Sequence, residues 1–342
     1  MTFSFVSVND FAPNGGRWTS VGPIASVMRT GNVFVLALPD SPLRLQLSVL
    51  SKTCFRVRFN PMPGADYSVE TSPAVVTRDL GAVVLSLVED SDRALIVDTQ
   101  AMRVHVDLQP YRIRVYRNRQ LISADEPAYN LVYLPGQRAT ANIKTRPDNA
   151  QYCGFGEKAG AGLLKNACTM TNFNFDNFIY SRAPLPPGDQ GGPLNSGEPL
   201  YASVPFLMEI NSEPSGDYAG SPYCYGLFFD NCSQSYFNTG ADNGSPMDGK
   251  YYFGALFGDL DYYFFLGDSP VDVVGQYTRL TGRSAMPPKY VFGFHQGCYG
   301  YYDRERLETV ARALTGRRAF PSTACTSTST CRTITASSPT AR

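Results

Sequence analysis

The chain has 342 residues, 43% hydrophobic and 18% charged, with thirty basic side chains against thirty acidic ones. At ~150 residues per domain this length predicts about two domains, each with room for a core. A formal net charge of zero lacks the basic footprint of nucleic-acid binding, so no nucleic-acid partner is expected.

The first residues, "MTFSFVSVNDFAPNGG", have no basic stretch, apolar run or small-residue cleavage site of a secretory signal. No apolar run approaches the ~20 residues of a membrane helix. A cytoplasmic protein with no membrane partner is expected. The eight cysteines form no CxxC pair and have no zinc-like spacing with a histidine. Reduced, mostly buried thiols follow, with no metal and no cofactor. Tyrosine and phenylalanine number 21 each against one tryptophan, Trp18. Aromatic faces serve sugar C–H groups and core packing alike.

From residue 32 to about 125 the pattern predicts strand after strand. "CFRVRFN" (54–60) sets Phe55, Val57 and Phe59 against Arg56 and Arg58, the period-2 signature of a half-buried strand. "MRVHVDL" (102–108) and "YRIRVYR" (111–117) repeat it across Gln109-Pro110, with His105 a structural strand residue. Turns such as "PMPGAD" (61–66) punctuate the runs, which argues an antiparallel β-sandwich. "CGFGEKAGAG" (153–162) is not a dinucleotide loop: its spacing is GxGxxxG and no apolar strand precedes it.

"NFNFDN" (172–177) interleaves Asn174 and Asp176 with phenylalanines. This suits sugar hydroxyls, or a strand with polar outer residues. "APLPPGDQGGPLNSGEP" (183–199) reads as a long loop, often functional inside a compact domain. "YGLFFD" (225–230) and "YYFFLG" (262–267) read as buried strands.

Near residue 270 the character changes. Ser269-Pro270 starts a helix whose face carries Val271, Val274 and Thr278, with Gly282 as its C-cap. "KYVFGF" (289–294) predicts a strand buried on both faces. Asp303 caps a second helix bearing Leu307, Val310, Ala311 and Leu314 on one side. His295, at the strand's end, is either an acid, base or sugar hydrogen-bonder, or a packed structural histidine. The last stretch, 322–342, has no periodicity and is expected to be disordered.

These pieces carry a resemblance. "QYTRLTGRSAMPPKYVFGFHQGCYGYYDRERL" (276–307) resembles the start of the catalytic barrel of glycoside hydrolase family 31. "GFGEK" (154–158), "NFNFDN" and "PLYASVPFLMEI" (199–210) resemble landmarks of that family's N-terminal β-domain. "NFNFDN", "FFDNCSQSYFNTG" (228–240) and "HQGCYGY" (295–301) are similar to the exo-α-1,4-glucan lyases of fungi and red algae. Hydrolases of the family more often have tryptophan where Tyr299 stands. Before residue 150 the likeness is only one of general strand character.

The resemblance implies a mainly β fold: an N-terminal β-sandwich (1–285), then the first βα unit (286–321) of an incomplete (β/α)8 barrel. It implies an α-1,4-glucan or maltooligosaccharide substrate, with Asp176, Asn174, Tyr299 and His295 as substrate-binding residues. The expected reaction releases the non-reducing terminal glucose as 1,5-anhydro-D-fructose, with no cofactor. An α-glucosidase and a non-catalytic carbohydrate-binding β-domain are the alternatives. The family's nucleophile and acid fall on later barrel strands, so no residue here is catalytic and the chain alone is expected to be inactive. After Phe320-Pro321 the tail departs from the family's second barrel strand, as a shift of reading frame would cause.

Overall fold

In the computed structural model the described residues are 18–70, 72–136, 138–158, 162–174, 202–241, 247–292, 294–298, 303–316, 322–327 and 332–334. They form two compact units that divide at Gly282/Arg283. In the first unit come β1 (Thr19–Ser20), β2 (Ser26–Thr30), β3 (Val33–Ala37), β4 (Arg44–Ser51) and β5 (Cys54–Phe59). Then follow β6 (Ser86–Asp90), β7 (Ala94–Asp98), β8 (Arg103–Leu108), β9 (Tyr111–Arg117) and β10 (Gln120–Ala124). Next are β11 (Leu131–Tyr133), β12 (Thr140–Thr145), β13 (Gln151–Gly156), β14 (Thr169–Asn172) and β15 (Ser203–Asn211). β16 (Tyr223–Phe229), β17 (Ser235–Asn238), β18 (Lys250–Ala255) and β19 (Leu260–Gly267) lead into helix α1 (Pro270–Thr281).

Three sheets result. Eight strands run β13-β15-β16-β19-β5-β4-β3-β2, six run β1-β11-β12-β18-β17-β14, and β6 to β10 make a five-stranded meander. Alternation along the strands explains the core. Phe55, Val57 and Phe59 of β5 and Tyr262, Phe264 and Leu266 of β19 point one way. They join Val104, Val106, Ile113 and Val115 of the meander and Phe237 and Phe253 of the six-stranded sheet. This is the expected β-sandwich. Each large apolar side chain fully buried there contributes about 1.5–3 kcal/mol.

The eight-stranded sheet is covered on its second face too. Cys54, Tyr263 and Phe265 pack with Leu80 and with Val273 and Leu280 of α1. A β-carbon on Gly226 of β16 would stand 2.7 Å from the Val273 methyl, so glycine lets the helix seat closely. Ser269 caps α1, its hydroxyl accepting from the Asp272 amide at 3.2 Å, with Pro270 in the first turn and Gly282 as C-cap. The buried helix face is nevertheless the other one. Val271 is 81% exposed and Val274 45%, because the sheet lies under Val273, Tyr277 and Leu280.

Arg56 and Arg58 also differ from expectation. Both are buried, roofed by the segment after β5. Arg56 donates to both oxygens of Asp261 at 2.8 and 2.6 Å and to both of Glu70 at 2.6 and 2.9 Å. Arg58 reaches the Tyr67 and Val69 carbonyls. Paired in this way, the two cations stay inside without an orphaned charge.

The would-be nucleotide glycines serve the sheet. Gly156 has φ 75°, and a β-carbon there would meet the Val204 nitrogen at 2.6 Å, where β13 and β15 slip register. A second buried polar cluster lies inside the sandwich. Glu209 of β15 accepts from the hydroxyls of Tyr152 (2.9 Å), Tyr223 (3.1 Å) and Tyr225 (2.6 Å). Tyr225 also meets the Tyr251 hydroxyl at 2.8 Å. Burial pushes the Glu209 carboxyl up to about 7, against the tyrosine donors and Lys144.

The second unit holds β20 (Phe294–Cys298), α2 (Arg304–Gly316), β21 (Ser322–Ser327) and β22 (Arg332–Ile334). β20 and β21 pair in parallel on either side of α2, a βαβ arrangement. Asp303 caps α2 through the Arg306 amide at 2.7 Å, and Leu307, Val310 and Ala311 pack together. The strand begins later than its sequence suggests. Lys289–Phe292 form a 3-10 turn after Pro287-Pro288, with Val291 bonded back to the Pro288 carbonyl. The tail, expected to lack regular structure, contributes β21 and β22, which pair with each other and with β20. Among the described residues no helix is long and apolar enough to cross a membrane.

Candidate functional site

A cleft of about 650 Å³ in the first unit opens where three strand ends meet. β14 delivers Asn172, Phe173 and Asn174; the start of β15 delivers Ser203, Val204 and Pro205. The loop from β16 to β17 supplies Asp230 to Gln234, and Tyr277 comes from α1. Pairing of Asn172 with Ser235 in the β14–β17 ladder fixes this convergence, and the Asn172 amide donates to the Ser235 hydroxyl at 3.3 Å.

The 230–233 loop is stiff. The Asn231 side chain donates to the Phe257 and Asp259 carbonyls at 2.8 and 3.0 Å and accepts from the Ser233 amide at 2.7 Å. Asp230 is bonded to the Ser72 hydroxyl at 2.5 Å through one carboxylate oxygen. Burial raises the Asp230 carboxyl, with Ser72, Arg56 and Arg78 opposing. Among the described residues its other oxygen finds no hydrogen-bond partner, and neither do the Asn172 carbonyl oxygen and the Ser203 hydroxyl. Unpaired buried groups of this kind cost about 1–3 kcal/mol each. Three of them on one cleft is a concentration of unmet acceptor capacity. A neighbouring cleft of about 250 Å³ shares Asp230 to Ser233 and adds Arg56, Arg58, Asp259 and Asp261. Burial lifts Asp261 to about 6, and the Arg56 pair holds it ionised at neutral pH.

Of the residues expected to bind substrate, Asn174 is exposed on the large cleft. His295 sits in β20 of the second unit, where only its backbone is described. Asp176 and Tyr299 lie outside the described residues. Asn172, Ser203 and Asp230 escaped the sequence reading. Asn172 ends the short strand "TMTN" and Ser203 begins the largely apolar β15, and only the "FFDN" run hinted at Asp230. The arrangement offers hydrogen bonds and aromatic faces to a polyhydroxylated ligand.

The described first unit is thus an antiparallel β-sandwich with a glycine-bulged strand and a helix on the outer face of its eight-stranded sheet. The sequence profile of the glycosyl hydrolase 31 N-terminal galactose mutarotase-like domain matches residues 44–238. The chain belongs to glycoside hydrolase family 31. The likeness therefore begins well before residue 150, in strands whose side-chain identities alone looked generic. Alpha-glucosidase 2 of Bacillus thermoamyloliquefaciens is 32% identical over 259 residues, covering 75% of this chain and 29% of that protein. The fold matches a Flavobacterium johnsoniae family 31 dextranase complexed with isomaltotriose (TM-score 0.69, 23% identity, 90% of this chain and 33% of that one). It also matches the Gracilariopsis lemaneiformis α-1,4-glucan lyase (TM-score 0.68, 23% identity, 86% and 34%). The chain thus spans about a third or less of the length of these proteins.

Proposed function

We propose that this chain is the N-terminal, substrate-facing part of an enzyme acting on α-1,4-glucans, and that the reaction is lyase cleavage releasing 1,5-anhydro-D-fructose. The observation that carries it is that the first three residues of the "NFNFDN" run, Asn172, Phe173 and Asn174, line a cleft that also holds the unpaired polar atoms of Asn172, Ser203 and Asp230. Asn174 and Asp176 offer an amide and a carboxylate to sugar hydroxyls; the family resemblance adds Tyr299 and His295 as further substrate-binding residues. In the retaining chemistry that the family resemblance implies, an acid protonates the leaving oxygen while an aspartate attacks C1. This chain supplies binding and orientation to that step, which lowers its barrier by fixing the sugar against the reacting groups. The lyase then removes the C2 proton instead of admitting water.

Hydrolysis is the second reading, favoured by the name of the Bacillus relative, an alpha-glucosidase. The test fuses residues 1–321 ahead of the remaining barrel of a family 31 lyase and, separately, of an α-glucosidase. Restored release of 1,5-anhydrofructose from maltotriose by the lyase fusion is expected, with little glucose from the other. Restoration of the α-glucosidase fusion alone would move the assignment to hydrolysis; neither being restored would remove the substrate-facing role.

A further inference from the structure

We propose that the outer face of the five-stranded meander carries a second saccharide site, built around Tyr116 and separate from the Asn174 cleft. Its ligand is a neutral α-glucan chain, an identity that rests on the function proposed above. Register builds the surface. Asp98, Arg103 and Tyr116 stand in one cross-strand row over β7, β8 and β9, and Ile96, His105 and Arg114 in the next. Their inward neighbours Val97, Val104 and Val115 are core, so period-2 alternation fixes these six side chains outward.

The face is concave. Gln100 (φ 73°), Asn118 (φ 49°) and Arg119 (φ 70°) occupy left-handed corners where β7 and β9 end. These corners raise three exposed polar side chains around a cleft of about 330 Å³. Its floor is apolar, with Ile96, Met102 and the Tyr116 ring, 6.5 Å from the His105 ring. A ring face bordered by planar amides and a guanidinium matches the alternating C–H and hydroxyl surfaces of glucose.

Charge argues for a neutral ligand. Asp98 accepts from Arg103 at 3.1 and 3.0 Å, and Asp107 from Arg114 at 2.7 Å. Burial and the neighbouring Arg114 hold His105 below its ordinary value, which keeps the ring uncharged at neutral pH. Among the described residues that line the cleft, the exposed Arg119 is the cation left as a handle for an anion. On a polymeric substrate a second contact raises the effective concentration of chain ends at the enzyme without any new contact in the catalytic pocket.

The test is retention of the purified 342-residue chain in native gels containing soluble starch, with maltoheptaose titrated by calorimetry. Tyr116→Ala and Arg119→Ala are expected to weaken binding about tenfold, Tyr116→Phe to keep it, and Val271→Ala, on the exposed face of α1, to leave it unchanged. Circular dichroism confirms that these outward-facing variants are folded. Retention of both alanine variants at the level of the parent chain would overturn the second site while leaving the family function intact. So would displacement of starch by equimolar inorganic phosphate, the mark of an anion site. A parent chain that starch does not retard also overturns it; the fusion assay, which reads product, judges the function separately.

Discussion

Tyr225 donates its hydroxyl to the Glu209 carboxylate at 2.6 Å in the middle of the sandwich, with both side chains almost wholly removed from solvent. Burial raises Glu209 from 4.5 to about 7, so the folded protein prefers the protonated acid. A raised carboxyl contributes stability that is complete below about pH 4.5 and is lost as pH climbs through about 7. The change is on the order of 3 kcal/mol. Urea midpoints should therefore fall between pH 5 and pH 8, and Glu209→Gln should flatten that slope. A slope unaltered in Glu209→Gln assigns the pH dependence elsewhere.

Lys144 and Asp125 form an ion pair at 2.7 Å, with side chains 1% and 0% exposed. Removing the cation leaves a buried carboxylate that keeps, among the described residues, the hydrogen bond from the Ile113 amide. Lys144→Met is expected to cost about 3–5 kcal/mol in chemical denaturation. A loss below about 1 kcal/mol would mean that water reaches Asp125.

The seat of α1 can be tested by contrast. Leu280→Ala should destabilise by about 2–5 kcal/mol, whereas Val271→Ala should stay within about 0.5 kcal/mol. Equal effects at the two positions would place the packed face of the helix where the sequence alone suggested it.

That helix shows where sequence reasoning stops. Its start and end were legible, because Ser269, Pro270 and Gly282 act locally. Its buried face was not: valines stand at 271, 273 and 274, and only the neighbouring sheet decides among them. Likewise, Phe55, Val57 and Phe59 announced β5, but nothing in "CFRVRF" tells that a later segment covers Arg56 and Arg58, whose partner Asp261 lies 205 residues away. At the candidate site, residue chemistry singled out Asn174. Asn172, Ser203 and Asp230 became visible only when their unpartnered atoms were found on one cleft.

The central claim is that the run after β14 faces the substrate, and the Michaelis constant of the lyase-barrel fusion for maltose measures it most directly. A charged hydrogen bond to a sugar hydroxyl is worth about 1.5–3 kcal/mol, or roughly ten- to a hundredfold in binding. Asp176→Ala is predicted to raise KM by at least about tenfold and Asn174→Ala by less, with unfolding midpoints unchanged in both. Kinetics identical to the parent fusion in both variants would contradict the claim and leave "NFNFDN" a strand end with polar outer residues.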